Sequence, residues 1–168
     1  GMGHDAGLPT SVLLTDMDQP LGQAVGNACE VNEAVEVLQG TPGVVRDLAI
    51  ELGGTLLLKM SQVDQLDQAR EKLAGIIDQG YALERFERMV HAQKGNLKSP
   101  LPPSDAHVIT ARQAGTIAGY DCRALGRSVV SMGGGRRRKG DRIDHAVGLK
   151  VHHRIGDVVE KDDPVLTV

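Results

Sequence analysis

The sequence predicts an α+β protein in which a helix-rich first unit is followed by a small, β-rich second unit. Over roughly the first hundred residues, apolar side chains recur every three or four positions, which is the spacing of amphipathic helices. After a proline-rich stretch, the apolar residues come in short runs that glycines separate, as in small β domains. The 21 glycines and 7 prolines fit a chain with many turns in part of its length.

The boundary between the two units is predicted at residues 99–105, which contain three prolines and two serines. Such a stretch cannot continue a helix and is typical of a linker. We therefore assign residues 1–98 to the first unit and residues 106–168 to the second.

The first unit begins with one predicted buried strand at residues 8–15, a β-rich apolar run that ends before Asp16. A helix is predicted over 23–39, and Gly40 supplies its stop. A second helix is predicted over 44–59. Their apolar stripes need a partner surface.

The ends of the second helix carry local signals. Thr41 is predicted to be its N-cap, and Pro42 its first helical residue. Gly53 and Gly54 predict a bend in its second half.

A third helix is predicted over 64–79, with Asp64 as its cap and Gly80 as its stop, and a fourth over 82–93. Only one strand accompanies these four helices. A complete α/β domain alternates helices with strands. The first unit is therefore interpreted as a piece of a larger domain.

The second unit is predicted to hold one short helix at about 122–132, capped by Asp121. Its strands are predicted at 107–111, 116–118, 143–151 and 165–168.

Composition excludes several classes of function. A net charge of −3, no Trp and three other aromatic residues argue against a nucleic-acid partner. No apolar run is long enough to span a bilayer, so no membrane partner is expected. Cys29 and Cys122 form no C-x-x-C pair, which favours a reducing, cytoplasmic setting.

Four stretches, in order and at compatible spacings, form a specific set. They are Thr15-Asp16-Met17-Asp18-Gln19-Pro20-Leu21-Gly22, Arg85-Phe86-Glu87-Arg88-Met89-Val90, Arg123-Ala124-Leu125-Gly126 leading into Met132-Gly133-Gly134-Gly135-Arg136, and Gly156-Asp157-Val158 with Asp163-Pro164-Val165. Together they resemble the thymidine and pyrimidine-nucleoside phosphorylases, and the resemblance covers almost the whole chain as the C-terminal half of that family.

The resemblance implies an activity for the parent protein. Members of the family are homodimeric, cytoplasmic pentosyltransferases of nucleoside salvage. Phosphate attacks C1′ of a pyrimidine nucleoside, which releases the base and a (deoxy)ribose 1-phosphate. The phosphate loop and the residues that hold the base lie in the N-terminal half. No catalytic or substrate-binding residue therefore maps onto this chain, and the isolated chain is expected to be inactive.

The resemblance also implies a fold. Residues 1–98 would be the C-terminal part of the phosphorylase α/β domain, and 106–168 the family's C-terminal domain. The glycine and proline rhythm of residues 156–166 is similar to that of barrel-sandwich lipoyl and biotinyl domains. Lys150 lies within a predicted strand rather than at a hairpin tip, so a carrier role is rejected.

Two sites follow from the resemblance. Some family members bind a monovalent cation such as K⁺ through two backbone carbonyls and a carboxylate, which here fall on Leu21, Ala24 and Glu33. The alternative is that Glu33 is a solvated helix residue.

A glycine-rich loop, implied to face the interdomain cleft, comprises Gly133, Gly134, Gly135 and Arg136. A basic run can also bind nucleic acid, but here it sits in an acidic chain.

Two other functions compete with this interpretation. Asp16 and Asp18 imitate the D-x-D-G-T nucleophile motif of haloacid-dehalogenase-like phosphatases, although Gln19 and Pro20 replace Gly-Thr. A non-enzymatic interaction domain is the third hypothesis. Apolar stripes on the first two helices predict a homo-oligomer.

Overall fold

A computed structural model describes residues 2–97 and 106–168 of the chain. The linker predicted at 99–105 lies outside the described residues. The helices are α1 (Met2–Asp5), α2 (Asn27–Leu38), α3 (Val44–Lys59), α4 (Leu66–Asp78), α5 (Tyr81–Ala92) and α6 (Cys122–Val129). The strands are β1 (Ala24–Val25), β2 (Val108–Thr110), β3 (Gly115–Thr116), β4 (Leu149–Val151), β5 (Val158–Val159) and β6 (Pro164–Thr167). This mixture of helices with small antiparallel sheets confirms the α+β class.

The strand predicted at residues 8–15 is wrong, because this segment forms no strand. Leu8, Val12 and Leu14 are 64%, 77% and 98% exposed. A strand is stable only when neighbouring backbone satisfies its N–H and C=O groups. None of the described strands pairs with this segment. The apolar run at residues 8–15 therefore has no paired strand in the part of the chain that the structure describes.

Helices α3 and α4 pack through small residues. Ala69 of α4 is fully buried, and a β-carbon added to Gly54 of α3 would lie 3.5 Å from its Cβ and 3.2 Å from Leu66 Cδ1. The bend predicted at Gly53 and Gly54 is wrong, because α3 runs unbroken through both residues. The missing side chain serves close helix approach instead of a kink.

An ion-pair cluster also joins α3 to α4. Arg70 Nε donates to Glu51 Oε2 at 2.8 Å, and its Nη1 donates to Asp67 at 2.7 Å. The hydrogen bond from Arg70 is the main reason why the pKa of Glu51 is lowered. Arg46 pairs with Asp78 at 2.7 Å.

Three predicted helix signals are confirmed. Gly40 and Gly80 follow α2 and α4 with φ of 102° and 81°, a conformation that favours glycine. The carboxylate of Asp121 accepts a hydrogen bond from the Ala124 N–H at 2.8 Å, so Asp121 caps α6.

The range predicted for α3 is confirmed, but the predicted N-caps of α3 and α4 are wrong by two residues and by one residue, respectively. Gly43 and Gln65 occupy the N-cap positions, and neither makes a side-chain cap bond. The Thr41 N–H donates to the Glu36 carbonyl, so Thr41 closes α2 rather than opening α3. Pro42 therefore precedes α3, and Asp64 precedes the N-cap of α4.

The second unit is built on a four-stranded antiparallel sheet of order β1-β4-β6-β2, with β3 and β5 as a separate pair. Its core contains Val129, Leu149 and Val151, with α6 supplying the first of these. The strand predicted over 143–151 shortens to its last three residues. Asp144 accounts for this, because its side chain accepts from the Ala146 N–H at 3.0 Å and forms a turn.

Strand β1 crosses from the first unit into this sheet. Ala24 and Val25 pair with Lys150 and Leu149 of β4. The helix predicted over 23–39 is therefore wrong at its start, since α2 begins at Asn27. Two residues are too few to show the periodicity of a strand, so the sequence did not predict β1. The pairing places the residues just before α2 against the second unit, where the candidate site lies. Among the described residues, no helix is long and apolar enough to cross a bilayer.

Candidate functional site

We call residues 16–29 and the segments of the second unit that they contact the joint. Gln19 Oε1 accepts a hydrogen bond from the Ile155 N–H at 3.0 Å. The Val151 N–H donates to the Gln23 carbonyl at 2.7 Å, which extends the β1–β4 pairing by one bond. The joint is therefore held through both backbone and side chains.

The start of α2 is tied to the second unit as well. Asn27 Nδ2 donates to the Gly134 carbonyl at 3.0 Å. The Ala28 N–H donates to the His145 carbonyl at 3.1 Å. Free N–H groups at a helix start need acceptors, and here the second unit supplies one of them.

Asp16 organises the turn at the beginning of the joint. Its Oδ1 accepts from the Asp18 N–H and its Oδ2 from Gln19 Nε2, both at 2.8 Å. The backbone bond from Asp18, followed by the Gln19 bond, lowers the pKa of Asp16. Because Asp16 orients the Gln19 amide, the opposite end of that amide can accept from Ile155.

This geometry gives the phosphatase hypothesis no support. A nucleophilic aspartate of that class follows a buried strand, and residues 8–15 form none. Both carboxylate oxygens of Asp16 are engaged within the turn. The part of the chain that the structure describes contains no group of three His, Cys, Asp or Glu side chains able to hold a metal ion.

The predicted cation ligands Leu21, Ala24 and Glu33 line one open cleft of about 300 Å³, together with Glu30. The structure therefore places the three predicted residues around one cleft. However, Glu33 Oε1 accepts from the Gln23 N–H at 2.7 Å and Oε2 from the Ala24 N–H at 3.3 Å. A β-carbon on Gly22 would overlap this carboxylate.

The Leu21 carbonyl, a second predicted ligand, also accepts a hydrogen bond. Arg154 Nη1 donates to the Leu21 carbonyl at 3.1 Å. Arg154 lines a separate small cavity with Gln19 and Gly22, and not the cleft that holds Glu33. N–H groups thus already donate to the Leu21 carbonyl and the Glu33 carboxylate in this arrangement, and binding of a monovalent cation there stays a prediction.

The glycine-rich loop follows α6 through a π-helical turn at Val130–Gly134. Gly133 has φ of 107°, and its carbonyl accepts from the Asp144 N–H at 3.0 Å. Gly134 is buried, and a β-carbon there would lie 2.7 Å from Val129 Cγ1. The backbone conformation therefore favours glycine at position 133, and packing favours it at position 134.

The basic end of this loop is exposed. Asp141 Oδ2 accepts from the N–H groups of Arg137 and Arg138 at 3.1 and 2.9 Å, which makes a turn of the basic run. Gly135 and Arg136 lead into that turn, and the Arg136 side chain is exposed. Which surface the loop faces in a larger protein stays a prediction.

The sequence analysis did not predict the hydrogen bonds that the side chains of Tyr120 and His152 make in the second unit. Tyr120 donates its hydroxyl to the His153 carbonyl at 2.6 Å, and burial is the main cause that raises the pKa of Tyr120. His152 Nε2 lies 2.7 Å from Thr167 Oγ1, and burial, then Lys150 and His153, lowers the pKa of His152. The adjacent pair His152-His153 gave no sequence signal for these bonds.

Comparison with known proteins supports the resemblance on both sides of residues 99–105. Residues 116–168 match the family described as pyrimidine nucleoside phosphorylase C-terminal domain. Thymidine phosphorylase of Mycobacterium tuberculosis is 39% identical over 169 residues, covering 99% of this chain and 38% of that protein. Pyrimidine-nucleoside phosphorylase of Bacillus subtilis is 35% identical over 174 residues, covering 99% of this chain and 40% of that protein.

A third relative agrees. Thymidine phosphorylase of Burkholderia lata is 40% identical over 173 residues, covering 98% of this chain and 40% of that protein. The chain thus spans 38–40% of the length of these curated relatives. The chain is thus similar to thymidine and pyrimidine-nucleoside phosphorylases over nearly its whole length, and its residues 116–168 match the C-terminal domain of that family.

Proposed function

We propose that the chain forms the C-terminal part of a phosphorylase that acts on pyrimidine nucleosides in cytoplasmic nucleoside salvage. In this reaction a phosphate oxygen bonds to C1′ of the sugar while the glycosidic C–N bond breaks. The products are the pyrimidine base and a (deoxy)ribose 1-phosphate. The carrying observation is that 35–40% identity to proteins of this name extends over 98–99% of the chain.

The role that we propose for this chain is that of a scaffold. Residues 1–98 would complete an α/β domain, and 106–168 would form a barrel-sandwich-like terminal domain, with no catalytic or substrate-binding residue in either. The exposed run at residues 8–15 supports this role, since an apolar strand former needs a neighbouring strand. The loop from Gly133 to Arg136 would face the cleft that the complete protein closes over its substrates.

A chimera tests the function. This chain would replace the corresponding C-terminal portion of the Mycobacterium tuberculosis thymidine phosphorylase, and thymine release from thymidine and phosphate would be measured by chromatography. We expect the chimera to turn over and the purified 168-residue chain to be inactive. The matched control is the relative's N-terminal portion alone, which should also be inactive.

Two results would contradict the proposal. Turnover by the isolated chain would show that it holds a complete active site. A chimera that folds, as judged by circular dichroism, but releases no thymine would show that this chain does not supply the scaffold of a phosphorylase.

A further inference from the structure

Arg154 makes a contact that the proposed function does not use. Its guanidinium Nη1 donates to the carbonyls of Leu21 at 3.1 Å and Pro20 at 3.4 Å. These two acceptors lie 133 and 134 residues earlier in the chain. A permanently charged group of the second unit is thus placed on consecutive carbonyls of the joint.

The position of Arg154 is fixed from its own side. Its N–H donates to Asp157 Oδ2 at 2.7 Å, within the turn that precedes β5. The neighbouring Ile155 N–H donates to Gln19 Oε1 at 3.0 Å. Backbone bonds on both residues therefore fix the backbone from which the Arg154 side chain reaches the Pro20 and Leu21 carbonyls.

We propose that Arg154 acts as a built-in cation, which does at the Pro20 and Leu21 carbonyls what a bound monovalent ion would otherwise do. Carbonyl oxygens are the ligands that hard cations take from protein backbone. A guanidinium offers fixed positive charge and several N–H donors to the same oxygens. The joint then needs no metal ion to hold its irregular backbone.

The charges around the turn agree with this role. The Glu33 carboxylate, which could complete a cation site, already accepts a hydrogen bond on each oxygen, from the Gln23 and Ala24 N–H groups. A potassium ion on the Leu21 carbonyl would share that oxygen with the Arg154 guanidinium, and two positive charges around one oxygen repel each other. The arrangement thus favours the side chain over an added ion.

The first test uses the native chain and needs no variant. Thermal unfolding would be followed by circular dichroism in KCl and in tetramethylammonium chloride at equal ionic strength. We expect the same Tm in the two salts. A K⁺-specific rise in Tm that saturates with concentration would overturn the proposal, because it would reveal a metal site that Arg154 has not replaced.

The second test compares Arg154→Gln with Arg142→Gln. Arg142 is exposed, and its substitution removes the same charge. We expect the Tm of Arg154→Gln to fall by about 2–4 °C relative to the control, given the size of the chain. Arg154→Lys should retain most of the stability, because one ammonium donor can still reach a carbonyl. Equal Tm values for the two glutamine variants would overturn the proposal.

The decisive arm combines the two tests. In Arg154→Gln, K⁺ should raise the Tm relative to tetramethylammonium. In Arg142→Gln, the Tm should be the same in both salts. If Arg154→Gln folds and has the same Tm in the two salts, as the native chain does, then Arg154 does not take the place of a cation and the proposal is overturned. If Arg154→Gln does not fold, the salt comparison on the native chain and on Arg154→Lys still decides the question. These readouts involve no nucleoside, so they stand apart from the phosphorylase proposal.

Discussion

Gly148 lies directly against Cys29: a β-carbon at position 148 would come within 2.5 Å of the Cys29 sulfur and 3.1 Å of the Val25 carbonyl oxygen. Gly148 immediately precedes β4, and Cys29 lies in the first turn of α2. The sulfur itself donates to the Gly26 carbonyl at 3.2 Å. The two units therefore meet here at backbone distance, which only glycine permits.

We predict that Gly148→Ala destabilises the chain by about 1–3 kcal/mol, the usual cost of forcing extra volume into a packed site. The Cys29 side chain can rotate away, but the Val25 carbonyl belongs to the β1 backbone and cannot. Chemical denaturation followed by circular dichroism measures the loss.

Gly126→Ala is the matched control for this change. Gly126 lies within α6, and a β-carbon there would meet nothing within 4 Å. Alanine in a helix interior is favoured over glycine by about 0.5–1 kcal/mol. We expect this variant to be as stable as the native chain or more so. Equal losses for the two variants would show that the joint is looser than the structure indicates.

The sequence predicted helices where long periodic stripes exist. The stripe that contains Leu73, Ile76 and Ile77 gave α4 to within two residues at either end, and Gly80 marked its stop. The Asp121 cap was also predictable, because a carboxylate before a helix has a local partner in the third N–H. Local signals were sufficient in these cases.

The joint was not predictable in the same way. Arg154 and Leu21 are 133 residues apart, and neither shows a periodic or motif signal for the other. The strand predicted at residues 8–15 was wrong for a related reason. β propensity reflects how well side chains pack on a sheet surface, and it does not show whether a neighbouring strand is present. The resemblance alone placed Leu21, Ala24 and Glu33 together, and it carried no information about the donors that already occupy two of them.

Glu33→Gln tests the anchor of the joint. The carboxylate now accepts from two N–H groups, while an amide offers a single oxygen as acceptor and carries no charge. We expect a loss of about 1.5–3 kcal/mol in the free energy of unfolding, the range for a hydrogen bond to a charged group. Denaturant titration measures this loss.

Glu36→Gln provides the control for Glu33. Glu36 is exposed on the same helix, so it should change stability by less than about 0.5 kcal/mol. If the two variants behave alike, Glu33 is a solvated helix residue, as the alternative interpretation of the sequence holds.

We predict that the contribution of Asp16 to the stability of the folded chain depends on pH, with a sign that follows from the hydrogen bonds of its carboxylate. Its pKa is lowered from 3.8, chiefly by the Asp18 N–H and then by Gln19. The ionised form is therefore favoured in the folded state, and its contribution is present above the unfolded pKa and lost as the pH falls through the folded one. We expect the Tm difference between native chain and Asp16→Asn to shrink below pH 3.8.

The control for Asp16 is Asp18→Asn, since the Asp18 side chain is exposed and the contact with Asp16 uses its backbone N–H. Its Tm should follow that of the native chain through the same acidic range. A Tm difference for Asp16→Asn that stays constant with pH would show that the turn does not depend on the carboxylate charge.

We predict that the chain self-associates through exposed leucines of helix α3. Leu52 and Leu56 are one turn apart on α3 and are 49% and 59% exposed. Apolar side chains on one helix face seek a partner surface, and a second copy offers one. Light scattering on the native chain should show a mass that rises with concentration, whereas Leu52→Glu with Leu56→Glu should lower it towards that of a monomer. Gln62→Glu with Gln68→Glu adds the same charge at exposed positions and should leave the association unchanged. A native chain that stays monomeric at every concentration would contradict this prediction, because it would show that these leucines are tolerated in water.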